Sequence, residues 1–124
     1  MKVKYNRKRL IKNLDTELSL YIRERDEYCV LCGTTQKLTN GHLFSRRSHS
    51  TRWDYSIDGN CHTQCWGCNY KHGWDTYPYT NWYLESFGKD SLDKLHFRFR
   101  SVKKYKNFEL AELLETIKGL RNGH

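Results

Sequence analysis

Cys29-Val30-Leu31-Cys32-Gly33, answered further along by Cys65-Trp66-Gly67-Cys68-Asn69, decides how this chain folds. Each Cys-x-x-Cys presents two thiols around a tight turn. Two such knuckles brought together supply the four soft ligands of a closed tetrahedral zinc site. Paired spacing of this kind reads as metal binding before disulfides in a reducing compartment, with a redox Cys-x-x-Cys as the rival reading. Cys61, the odd fifth cysteine, has no partner by spacing and reads as a small buried side chain. A zinc held by four sulfurs keeps no open position, so Zn2+ here is structural. Any chemistry belongs to the polar residues between and just after the knuckles: His42, Asn60, His62, Asn69 and His72.

With 124 residues, 37% of them hydrophobic, and a mean hydropathy of -0.92, the chain can build only a thin core. A metal that ties distant segments together is expected to add stability that the apolar residues do not. One domain with helical flanks is expected: a basic arm and amphipathic helix over 1–27, a zinc-bound core over 28–90, and a basic segment with a C-terminal helix over 91–124. The net charge of +8 and pI near 9.3 come from clustered cations, which points to a polyanion and makes nucleic acid the leading partner. No apolar run approaches a membrane span, and the basic N-terminus is not followed by the apolar stretch of a signal peptide, so a cytoplasmic location is expected.

Outward from the knuckles, Lys2, Lys4, Arg7, Lys8, Arg9 and Lys12 form a basic arm, and Leu10, Leu14, Leu18, Tyr21 and Ile22 recur at helical spacing. The predicted helix ends near Tyr28. Gly41–Phe44 and Thr51–Ile57 read as two short strands, and a helix opens at the second cysteine pair, giving a β-β-α arrangement around one metal pocket. A further helix, capped by Thr76 with Pro78 in its first turn, runs to Gly88. The aromatics Tyr70, Trp74, Tyr77, Tyr79, Trp82 and Tyr83 read as the small core around the zinc, in preference to a base-stacking platform. Between Lys94 and Lys106 the pattern suits a strand or a helix equally. Leu110, Leu113, Leu114, Ile117 and Leu120 mark a C-terminal helix closed by Gly119 and the Asn122-Gly123 tail, its stripe free to pack on the domain or on a second copy.

Gly41-His42, Asn60 before the second knuckle, and Asn69 directly after Cys68 make the chain resemble the HNH, or ββα-metal, nuclease family. The order of these residues looks most like the NinG or Rap recombination proteins of phages, and is similar to the endonuclease VII type of Holliday-junction resolvase. The resemblance covers roughly residues 28–90. It implies an α+β fold: a small zinc-stabilised ββα-metal core, HNH-like and treble-clef-like, flanked by N- and C-terminal helices. It also implies that His42 is the general base, that Asn60 pins the loop carrying it, and that Asn69 binds a catalytic Mg2+ or Mn2+. A phage protein of this kind would work in the host cytoplasm.

Gly41 departs from the pattern, since endonuclease VII-like proteins carry an Asp metal ligand there. A magnesium ion wants several oxygen ligands, so other side chains must help. His62 and His72 are the candidates carried forward, with His49, Asp54, Asp58 and Asp75 also considered; a nitrogen ligand would favour manganese. From the residues alone, Asn60 in Asp58-Gly59-Asn60 also suits a turn, and Asn69 also suits a helix cap. The functional expectation is a metal-dependent endonuclease acting on branched DNA such as Holliday junctions. Arg46, Arg47, Arg52 and Lys71 would touch phosphates near the pocket, and Arg98, Arg100, Lys103 and Lys104 farther out. Two symmetric incisions call for a homodimer, with the terminal helices as its interface. The alternatives are a zinc module that binds DNA or RNA without cutting, for which Gly41 is the best argument, and an HNH nuclease of linear duplex.

Overall fold

The computed structural model describes residues 4–122. Lys2 of the basic arm and Gly123 of the tail lie outside the described residues. The elements in order are α1 (Arg7–Asp26), β1 (Leu38–His42), α2 (His49–Arg52), β2 (Cys61–Cys65), α3 (Trp66–His72), α4 (Tyr77–Phe87), α5 (Lys89–Arg100) and α6 (Asn107–Asn122). The result is a mixed fold of helices around one two-stranded antiparallel sheet.

Helix α1 begins where the Asn6 side chain accepts the Arg9 N–H at 3.1 Å, and it ends at Glu27, which takes a left-handed φ of 68°. Its buried Leu14, Leu18 and Ile22 recur every fourth residue and meet Leu110, Leu114 and Ile117 of α6, with Trp53 and Cys61 completing this half of the core. Arg121 closes the pair by reaching Glu17 at 2.7 Å and Glu24 at 3.0 Å. The apolar stripes of the terminal helices are thus covered by each other, so the α6 stripe packs on the domain. Gly119 lies inside α6 and does not end it.

The sheet corrects the expected strands. Gly41 pairs with His62 and His42 with Cys61, so the second strand is Cys61–Cys65. Thr51–Ile57, read as a strand, is α2 followed by a loop. The reason is tertiary: Asp15 of α1 accepts from Arg52 at 3.0 and 2.6 Å and from Trp53 Nε1 at 2.8 Å, drawing the segment onto α1. The first strand stops at His42 because the next backbone groups turn to Asn60. Leu43 N–H donates to the Asn60 carbonyl at 2.8 Å, and Phe44 N–H to Asn60 Oδ1 at 2.8 Å.

On the other face, Leu43, Tyr79, Tyr83 and Leu95 form a second buried cluster under α4 and α5. Residues 89–100 are helical, since Leu95 is buried while Phe97 is 74% exposed; the strand-like alternation of Leu95, Phe97 and Phe99 is not used. The aromatic expectation holds for Tyr79 and Tyr83. It fails for Tyr70, Trp74 and Tyr77, which are exposed. Among the described residues no helix is long and apolar enough to cross a membrane.

His62 is buried, not a ligand facing solvent. Its Nε2 donates to the Ile57 carbonyl at 2.7 Å and its Nδ1 lies 2.9 Å from the Tyr79 hydroxyl. Burial pushes the imidazole down to about 4, as it does for His42. A folded value below the ordinary 6.5 means that the unfolded chain takes up protons first. The stability is therefore present above pH 6.5 and is lost as pH falls toward 4, by up to roughly 3 kcal/mol for each histidine. His62→Phe strands the Ile57 carbonyl, while the Tyr79 hydroxyl keeps the Gly41 carbonyl as its acceptor, and is expected to cost about 1–3 kcal/mol at pH 7. Denaturant unfolding at pH 7 and pH 5, with zinc content checked, should also show a shallower pH dependence in the variant; equal slopes would refute the assignment.

Candidate functional site

The first knuckle turns through Gly33, whose φ of 79° suits glycine and whose N–H donates to the Cys29 carbonyl at 2.8 Å. The second opens α3, with Cys65 Sγ accepting from Cys68 N–H at 3.4 Å. Val30 N–H donates to the Thr63 carbonyl at 2.9 Å, which fastens the first knuckle to β2. The four sulfurs of Cys29, Cys32, Cys65 and Cys68 lie within 4.8 Å of one another. Cys32 and Cys65 sulfurs are 3.8 Å apart. Zinc–sulfur bonds of about 2.3 Å in a tetrahedron put sulfurs about 3.8 Å apart, so the cluster fits a structural zinc. Burial acts to raise the Cys29 thiol, yet hydrogen bonds from the backbone at Cys65, Cys32 and Leu31 bring it down to about 7, toward the thiolate that zinc requires. Cys61 is buried, apart from this cluster, and burial pushes its thiol up.

Beside the zinc cluster, a cleft of about 300 Å³ is lined by Asn40, His42, Ser45, Arg46, Asn69, His72 and Gly73. His42 closes β1, and its Nε2 stands 2.9 Å from the Arg52 carbonyl oxygen. A carbonyl only accepts, so Nε2 carries the proton and Nδ1 keeps a lone pair. Burial lowers the imidazole to about 4, overcoming the upward pull of that hydrogen bond; the ring is neutral at physiological pH. The carbonyl is itself held, because the Arg52 guanidinium is gripped by Asp15. Burial acts to raise the Asp15 carboxyl, but hydrogen bonds from Arg52 and Trp53 and the Arg52 charge keep it below its ordinary value.

Asn60 is fully buried behind the loop that follows His42. Its Oδ1 accepts from Phe44 N–H and its Nδ2 donates to the Phe44 carbonyl at 2.9 Å, so one carboxamide clamps both backbone groups of that residue. The Asn69 amide is oriented by Thr39. The Thr39 hydroxyl gives its proton to the Gln64 carbonyl at 2.8 Å, so it must accept from Asn69 Nδ2 at 3.0 Å, and Oδ1 is left as the atom able to meet a cation. His72 donates from Nε2 to the Leu43 carbonyl at 2.9 Å; its Nδ1 is buried without a partner. The fold therefore brings His42, Asn69 and His72 to one cleft, and leaves His62 outside it. His49 packs on Trp53 at 4.8 Å between ring centroids, Asp54 pairs with Arg98 at 2.8 Å, and Asp58 accepts the Tyr83 hydroxyl through its carbonyl; none of the three lines the cleft. Asp75 sits 4.0 Å from Lys71 and also lies outside it.

The residue that sequence reading missed is Gln64. A Cβ built on Gly41 would stand 2.1 Å from Gln64 Oε1, so this carboxamide fills the space a side chain at position 41 would need. Gln64 is fully buried, and both its Oε1 and Nε2 lack hydrogen-bond partners. Only the register reveals the pairing, since Gln64 stands opposite Thr39, one step diagonal from Gly41 on the same face.

The cations divide into two groups. Arg46 lies on the cleft, 58% exposed, and Arg47 continues into a second cleft of about 510 Å³ shared with Arg100 and Lys103. Lys104 is exposed nearby. Arg52, 17% exposed and bound to Asp15, is a structural residue and not the phosphate contact expected. Arg98 is held by Asp54, and Lys71 stands 6.0 Å over the Trp74 ring, outside the His42 cleft.

No curated protein and no solved structure matches the chain. The family described as Bacteriophage Lambda NinG protein matches residues 1–122, and the chain belongs to this phage recombination-related family.

Proposed function

We propose that the protein is a metal-dependent endonuclease that hydrolyses phosphodiesters in branched DNA. The observation that carries this reading is a neutral His42 whose free Nδ1 is fixed by the Arg52 carbonyl, in the same cleft as Asn69 and the unpartnered His72 Nδ1. His42 would take a proton from water at Nδ1. Its low value in the free protein rises when an anionic phosphate enters, because a nearby negative charge favours the imidazolium. Asn69 Oδ1 and His72 Nδ1 are the donors that would hold a divalent cation, and a mixed nitrogen and oxygen set favours Mn2+ over Mg2+. Such a cation, when bound, neutralises charge on the phosphate and the leaving oxygen. Arg46 would bind the phosphate at the cleft, and Arg47, Arg100 and Lys103 the backbone beyond it. These are contacts to shape more than to sequence, which suits a junction.

Cleavage of a labelled four-way junction with Mn2+ or Mg2+, beside linear duplex, is the direct test. His42→Ala is expected to lose cutting by about 10²–10⁴-fold while junction binding is kept. A wild type that binds the junction and never cuts with any divalent metal would instead establish a zinc module that only binds, with Gly41 as the reason. A second experiment concerns position 41. Gly41→Asp alone should cost about 1–3 kcal/mol by overpacking against Gln64. Combined with Gln64→Ala it should recover most of that stability and bind Mn2+ about tenfold more tightly than wild type, read by calorimetry. Additive losses in the pair would show that Gln64 does not hold the space of the missing carboxylate.

A further inference from the structure

Helix α3 has two unlike faces. Asn69 and His72 line the cleft from one side of the helix, while Trp66 and Tyr70 stand on the adjoining exposed side, followed by Trp74 and Tyr77 just beyond the helix. These four rings are 61, 66, 70 and 71% exposed, in a protein that fully buries Tyr79 and Tyr83. Trp66 and Tyr70 lie face to face, with centroids 5.2 Å apart and planes 10° from parallel. Lys71 stands over Trp74, and the exposed Lys37 is tied to the platform through its carbonyl, which accepts the Trp66 N–H at 2.8 Å. Asp75, 4.0 Å from Lys71, is the acid in this stretch.

We infer that this outer face of α3 binds unpaired nucleobases, which stack on the exposed aromatic rings while Lys37 and Lys71 meet the adjoining phosphates. Exposed aromatic rings beside cations are what single-stranded nucleic acid requires, because every base has a flat π face and each nucleotide carries one negative charge. The net charge of +8 favours an anionic occupant over a second copy of this chain. The inference deepens the proposed function: a branch point has splayed, unpaired nucleotides, and a base held on the outer face of α3 would place the neighbouring phosphate at the cleft on its inner face.

The test uses the zinc-loaded full chain without added divalent metal, so that nothing is cut. Affinity for a labelled oligothymidine and for a matched duplex is read by anisotropy, with tryptophan quenching as a second signal. Trp66→Ala and Tyr70→Ala should each weaken single-strand binding by about five- to a hundredfold, leave duplex binding within about twofold, and be partly rescued by Trp66→Phe. Both residues are exposed, so melting temperatures should stay near wild type. Equal losses on both DNAs, no loss on either, or no single-strand binding by the wild type would each overturn the inference. So would variants that bind DNA normally but change sedimentation from dimer to monomer, since the face would then be an interface between copies. The two readings separate cleanly. A wild type that cuts junctions while its ring variants bind normally refutes the platform alone; ring-dependent binding by a protein that never cuts refutes the nuclease alone.

Discussion

Four sulfurs gathered within 4.8 Å join the loop at Cys29 to the first turn of α3, and the cleft is placed by that joint. Helix α3 has seven residues, too few to persist in water by its own hydrogen bonds. Its rotation about its axis nevertheless decides whether Asn69 and His72 face β1 or solvent. Cys65 and Cys68 lie in and before its first turn, so fixing them on a common ion fixes that rotation. Structural zinc sites in small peptides are worth about 10–16 kcal/mol, as much as the whole stability of a typical domain, which suits a chain whose core is thin.

The second constraint is polar. The backbone after His42 is held by Asn60, the Gly41 carbonyl accepts from the Tyr79 hydroxyl at 2.9 Å, and the Arg52 carbonyl receives both His42 and, at 3.7 Å, the Cys61 thiol. Buried polar atoms are normally paired, so the exceptions carry information. Among the described residues those on Asn40 and His72 belong to cleft-lining side chains and those on Gln64 stand against Gly41; Thr51 Oγ1 is the one found elsewhere. Two of these unpaired atoms therefore sit at the cleft and two at the Gly41 backbone.

How much of this was legible in the sequence depended on how local each signal was. The knuckles, the span of α4 and the stripes of α1 and α6 follow from spacing and from turn residues, which act within a few positions, whereas the start of α1 at Arg7 does not, since Arg7, Lys8, Arg9 and Lys12 read as an arm. Strand β2 was invisible because Cys-His-Thr-Gln-Cys has no alternation of apolar and polar residues. The polar groups of Thr63 are satisfied from far away: its Oγ1 donates to the Ile22 carbonyl at 3.0 Å, and its N–H to Asp26 Oδ2 at 2.8 Å. Thr51–Ile57 showed the alternation and became something else, because Asp15 outcompetes a local preference. The same long-range pairing took Arg52 from the expected phosphate contacts. The exposure of Trp74 and Tyr77 contradicted composition outright, since aromatic content alone predicts burial.

Gly41 and Gln64 show what a register can hide. The volume beside the backbone at position 41 is filled from the opposite strand by a neutral carboxamide, where a carboxylate at position 41 would have brought a charge. The difference reaches His42. A carboxylate next to it in sequence would raise the imidazole toward its charged form, whereas a carboxamide leaves it neutral and able to accept a proton. In the proposed reading the cost falls on the cation, because neutral donors from Asn69 and His72 hold a divalent ion weakly. The missing negative charge is then supplied by the DNA phosphate itself. Cation and substrate would each strengthen the binding of the other, by the reciprocity that any such coupling obeys. In that proposed reading the cleft would take its metal only with a phosphate, and hydrolysis would be confined to nucleotides that the basic surface had already placed there.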